Sequence, residues 1–234
     1  MIGIDRIDFI SSYCDRWCER CAFTSRCSAY AVDIATAMCD GDWKAGLELA
    51  IGTPPPEDEE KRARREDYSA GLPSEEELER YVREREARDK RLDESPVTTG
   101  AMKVTLLATT WLAANRAQVV PAGDQPVTDA LEIAGWDAYF IAAKLHRALD
   151  GRDEYLNDDD IDDDPVQNDW NGSAKVALIS IERSTTAWEV LAQATGDAEA
   201  WAVVEELRIL QQQVEQVFPN AWKFVRPGFD DPGA

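Results

Sequence analysis

The chain predicts an all-α protein, a four-helix-type bundle preceded by a cysteine-rich helix–turn–helix segment. Three observations carry that prediction. Beyond residue 100, apolar residues recur at three–four spacing through four long stretches, and no stretch alternates with period two. Helix-breaking residues fall between those stretches, Pro121 after the first and Gly151 after the second. Near the N-terminus, four of the five cysteines crowd between residues 14 and 27.

Residues 1–52 form the cysteine-rich helical segment. Ile4, Ile7, Cys14, Cys18 and Cys21 follow helical spacing with Ser11 filling the gap, which predicts a first helix. A second begins near Ser28 and runs through Tyr30, Ile34 and Met38 until Asp40-Gly41 interrupts it. Trp43 to Ile51 forms a third, short one. Residues 53–99 read as a charged linker with a surface helix. TPPPEDEE forbids helix continuation, and ESPVTTG closes the section. Between them, PSEEELERYVREREARDKRL opens with a Ser74–Glu77 capping box and offers only Leu78, Tyr81 and Val82 to an apolar side.

Residues 100–234 are the bundle. AMKVTLLATTWLAANRAQVV makes its first helix and PVTDALEIAGWDAYFIAAKLHRAL its second, with Ile133, Trp136 and Phe140 on one face. SAKVALISIERSTTAWEVLAQAT makes the third, capped by Asn171 or Ser173, with Leu178, Ile181, Thr185, Trp188 and Leu191 in its stripe. AEAWAVVEELRILQQQVEQVF makes the fourth, with Trp201, Val204, Leu207, Gln211, Val214 and Phe218. Four such stripes close around one core. The aromatic tail PNAWKFVRPGFDDPGA is expected to dock on it.

The 234 residues carry a net charge of -21, which repels phosphate backbones and argues against a nucleic-acid partner. An acidic bundle fits a protein partner instead. No apolar run approaches the ~20 residues of a membrane helix. MIGIDRIDFISSY lacks a signal peptide's basic start and apolar run, so the expected location is the cytoplasm, where thiols stay reduced.

Cys14, Cys18, Cys21 and Cys27 have the spacing C-x3-C-x2-C-x5-C. On a helix the first three share one face, and Cys27 joins them only if the chain turns back after Phe23. Four thiolates around a small volume suit a [4Fe-4S] cluster or a tetrahedral zinc ion. Structural four-cysteine zinc sites usually separate two C-x2-C-type knuckles, whereas these ligands crowd into one run, a habit of iron–sulfur motifs. A third reading, three small apolar groups continuing the Ile4–Ile7 stripe, leaves Cys27 unexplained. Arg16, Arg20 and Arg26 are placed to offset the charge of a ligated cluster, and Trp17, Phe23 and Tyr30 to shield it. Cys39 lies apart and reads as a core residue.

CERCAFTSRC resembles the distal part of the cluster loop of endonuclease III and adenine glycosylases, and the cluster motif of AddB- and Cas4-type nucleases. The resemblance implies a [4Fe-4S] cluster held by four cysteines. It is confined to this segment, and the spacing upstream is shorter here, so the DNA chemistry of those enzymes is not carried over. C-x3-C-x2-C also fits radical SAM enzymes, but Cys27 would fill the open iron position and no β/α barrel is encoded.

Other candidates are weaker. A bundle di-iron site needs two Glu-x-x-His motifs, and the chain has one histidine, His146, and none of those motifs. Glu132, His146 and Glu182 would make a catalytic pocket only if they converge between the helices. Asp160, Asp162 and Asp164 have the start of a calcium-loop spacing, but Pro165 stands where its glycine belongs and Asn171 where its glutamate belongs. The sequence therefore predicts a [4Fe-4S] protein with an electron-transfer or redox-sensing role. The alternative is an interaction bundle with structural zinc or a structural cluster, and enzymatic activity is left open.

Overall fold

A computed structural model describes residues 5–53, 73–119, 124–157 and 164–231. TPPPEDEE from Pro54 onward, Pro121, Asp160 and Asp162 lie outside the described residues. The described chain is all-α, with seven α-helices and no strand. It divides into two compact units. One comprises Met1–Ser11, Arg16–Asp89 and Pro227–Ala234, the other Ser12–Asp15 and Lys90–Arg226.

In the first unit the expected N-terminal helix does not form. Single 3₁₀ turns stand in its place, at Ile10–Ser12, Cys18–Arg20 and Thr24–Arg26. Phe9 (φ 59°) and Arg16 (φ 57°) adopt left-handed backbone that no α-helix accommodates. Long-range bonds override the local periodicity. Ile7 N donates to Arg26 O (3.1 Å), Arg6 to Cys27 O (3.0 Å), and Arg26 pairs with Asp5 (2.8 Å). Ile7 and Ile10 are buried, but against Gly228, where a Cβ would stand 2.9 Å from Ile7 Cδ1.

The helix–turn–helix that follows is as expected. α1 (Ser28–Met38) and α2 (Trp43–Ile51) form an antiparallel hairpin across Asp40-Gly41. Asp42 caps α2 by accepting from the backbone of Lys44 and Ala45, satisfying amides that the helix leaves unpaired. The helices meet at Gly46, where a Cβ would lie 2.6 Å from Thr36 Cα, so only glycine permits the approach. α3 (Glu75–Asp93) opens with the expected capping box. Ser74 N donates to Glu77 (2.7 Å) while Glu77 N donates back to Ser74 Oγ (3.3 Å).

The second unit is the four-helix bundle: α4 (Pro96–Val119), α5 (Gln125–Asn157), α6 (Asp169–Thr195) and α7 (Ala198–Val217). Packed pairs run α4–α5, α5–α6, α6–α7 and α7–α4, which closes the ring. α4 begins at Pro96, earlier than the sequence suggested, because proline is preorganised for the first helical turn. α5 runs on through Gly151 to Asn157, past the end the sequence suggested, because one glycine weakens a helix without breaking it. α6 is capped by Asn168 rather than Asn171 or Ser173; the Asn168 side chain accepts from Asn171 N (2.9 Å).

α5 also turns a different face inward from the one marked by Ile133, Trp136 and Phe140. Ala130, Ala134, Ala138, Ile141, Leu145 and Ala148 are buried, and Trp136 is 37% exposed. Small residues there let α5 lie close to its neighbours, so large apolar side chains are poor guides to its buried stripe. At the centre, Trp111 and Trp188 meet edge to face at 5.1 Å, and Trp111 Nε1 donates to the α7 cap Asp197 (2.6 Å). Beyond α7, Ala221 and Phe224 are buried and Lys175 donates to Phe224 O (2.6 Å), so this part of the tail docks as expected.

Candidate metal centre

The cysteine segment is built from turns. Cys21 N donates to Cys18 O (3.1 Å) and Cys27 N to Thr24 O (3.3 Å), closing two successive 3₁₀ turns. A 3₁₀ turn at Thr24–Arg26 thus follows Phe23. Two sulfurs accept backbone amides: Cys21 Sγ from Phe23 N (3.4 Å) and Cys27 Sγ from Tyr30 N (3.5 Å). Cys27 thereby also caps α1.

Among the described residues no disulfide forms, and all five cysteines are half-buried. Cys39, expected in a core, ends α1 at the same intermediate exposure. Cys14 belongs to the bundle unit, and Cys18, Cys21 and Cys27 to the other. Among the described residues no three His, Cys, Asp or Glu side chains gather as a metal ion requires. The donor set fits a thiophilic group by its chemistry, but the thiols are not preassembled around one point.

Phe23 packs edge-on against Phe229 (5.1 Å), and the Arg20 guanidinium lies over the Trp17 ring at 4.1 Å. Arg26 is engaged with Asp5, which takes it out of the pool of charges facing the thiols.

The pocket imagined between Glu132, His146 and Glu182 is not there. All three are exposed, and Glu132 and His146 stand fourteen residues apart on α5, about 21 Å along its axis. Glu182 instead accepts from Gln211 (3.4 Å). Of the calcium-loop residues, Asp164 accepts from the backbone of Val166 and Gln167, which holds its carboxyl below the usual range.

A buried ionic group escaped the sequence. Asp137 is fully buried and receives a two-pronged bond from Arg183, Nε at 3.0 Å and Nη2 at 2.5 Å; Arg183 also pairs with Asp15. Burial pushes the Asp137 carboxyl up, and the guanidinium pulls it back only in part. The alanine stripe of α5 was the missed signal, since Asp137 lies on that face beside Ala134 and Ala138.

These features define an all-α protein with a turn-built thiol segment. No described helix is long and apolar enough to cross a membrane. Compared with protein-family models, curated proteins and solved structures, the chain matches none.

Proposed function

We propose that Cys14, Cys18, Cys21 and Cys27 hold a [4Fe-4S] cluster with a redox role, in electron transfer or in sensing oxidation. The observation that carries the reading is the pair of amide-to-sulfur bonds at Cys21 and Cys27. Amide bonds to a ligating sulfur tune the potential of the cluster it holds. Ligation would draw together thiols now spread over short turns, coupling assembly of the segment to metal binding. A bound cluster would supply a one-electron couple. Four protein ligands leave no iron open to substrate, so the chain's own residues supply insulation and charge balance.

Cytoplasmic residence follows the same reading, because the ligands must stay reduced. Anaerobic purification tests it: the protein should be brown and contain iron and acid-labile sulfide in equal amounts. A colourless protein with stoichiometric zinc sinks it.

A second reading has its own observation. Met38 (73% exposed), Trp43 (61%) and Leu49 (59%) stand out on the α1–α2 hairpin, more apolar surface than so small a unit normally leaves to water. They fit a protein partner, with zinc or a structural cluster merely fixing the turns; the net charge of -21 keeps nucleic acid an unfavourable alternative. Cys-to-Ser variants that lose the hairpin fold without any change in redox behaviour would favour this second reading.

A further inference from the structure

The four residues Ser12–Asp15 belong to the bundle unit, far in sequence from the rest of it. Lys144 Nζ donates to Ser12 O (3.0 Å). Tyr13 donates to Asp169 (3.2 Å), packs on Phe224 with ring centroids 4.7 Å apart, and lies over Gly172, where a Cβ would stand 2.4 Å from Tyr13 Cε1. Trp136 Nε1 donates to Asp15 O (3.0 Å), and Arg183 donates to the Asp15 carboxylate. Arg16, next along the chain, has left-handed backbone (φ 57°).

Arg183 is itself fixed. Its planar fork grips Asp137, a carboxylate with no exposure, and rotating it would strand a buried charge. Whatever Arg183 holds is therefore held in one place. It holds Asp15, whose Cα is about 3.8 Å from that of Cys14.

We propose that Arg183, locked onto Asp137, is a positioning residue for Cys14: by holding Asp15 it fixes the backbone that carries this thiol on the bundle. The relevance to a cluster rests on the function proposed above; the positioning of the thiol does not.

Two variants test it in the full chain. Asp15→Asn weakens the outer contact and leaves the buried Arg183–Asp137 pair intact, so it covers the case in which an Arg183 variant fails to fold. Arg183→Lys keeps the charge and loses the fork. In metal-free protein, alkylation of Cys14 by iodoacetamide is followed by peptide mapping, with Cys39 as internal control. Rates are compared at the alkaline plateau, where changes in thiol acidity drop out. Both variants should raise the Cys14 rate severalfold and leave Cys39 unchanged, and the double variant should add nothing to the larger single effect, because both act through one contact. In iron-reconstituted protein, the same variants should shift the cluster's midpoint potential. A Cys14 rate unchanged in Asp15→Asn overturns the proposal, as does a rise at Cys14 and Cys39 together. If the wild-type chain binds no cluster, the proposed function fails while the alkylation result still decides the role of Arg183.

Discussion

The bundle and the cysteine segment achieve order by opposite means. Along α6 fifteen residues are buried, from Trp170 to Ala192, and both tryptophans of the central pair are enclosed. Between residues 12 and 27 none is buried, and every thiol keeps part of its surface in water. Burying apolar area stabilises the bundle without help from any ligand. Beyond Asp15 the cysteine segment rests on a handful of hydrogen bonds and holds one left-handed residue, Arg16, the profile of a region with low local stability. The comparison teaches where a ligand has leverage. Any ligand bound beyond Asp15 would reshape that stretch at little cost in lost packing, whereas the bundle core leaves it little to reshape.

The sharpest way to break this contrast is to damage the bundle. Trp188→Ala removes the partner of Trp111 from a closed core and should cost about 3–5 kcal/mol in urea unfolding. A loss under ~1 kcal/mol would mean that the core is not packed as described.

Next comes Asp137→Ala, which removes the buried partner of the Arg183 guanidinium and leaves it Asp15. The Arg183 side chain remains 27% exposed, so the cost should fall below that of a fully buried pair, at about 2–3 kcal/mol. The pH dependence has a definite sign. The Asp137 carboxyl is raised in the folded protein, so the folded state keeps this proton to higher pH than the unfolded chain does. Its contribution is fully present below the ordinary carboxylate range and is lost as pH rises through the raised value. Melting curves across that interval should fall for the wild type and lack this component in the variant.

Gly46→Ala tests the hairpin. A methyl group there meets the Thr36 backbone, so hairpin separation should cost about 1–2 kcal/mol, read by amide exchange in α1 and α2. A neutral result would mean that the helices do not approach so closely.

The smallest effect belongs to Arg16→Gly. Glycine accepts the left-handed conformation without penalty, so the variant should be unchanged or gain up to about 1 kcal/mol, against the loss expected if residue 16 were helical. Thermal denaturation separates the two signs.

Much of the bundle was legible in the sequence. The third and fourth helices announced themselves because Leu178, Ile181, Trp188, Val204, Leu207 and Val214 are buried as their stripes predict, although Trp201, placed in the fourth stripe, is 38% exposed. α5 was legible as a helix but not by face, since its close packing uses alanine, and alanine periodicity is a weak signal. Gly151 looked like an end because glycine favours helix termini, yet one glycine costs a helix interior only about 1 kcal/mol and α5 continues through it. In the candidate site, the helix expected through Cys14, Cys18 and Cys21 was not real; 3₁₀ turns stand there instead. The three–four spacing there is shared by helices and by accident, and Arg26, Arg6 and Asp5 decided the matter through contacts some twenty residues away.

What the sequence alone determined is the helical class, the capping of α3 and the concentration of thiols, because periodicity, capping chemistry and cysteine spacing are local properties. Only the tertiary structure decided which residues of α5 face inward, that Asp137 and Arg183 form a buried pair, and that Asp15 is held beside Cys14. Those outcomes depend on residues between about fifty and one hundred and seventy positions apart meeting in space, and no local pattern encodes such meetings.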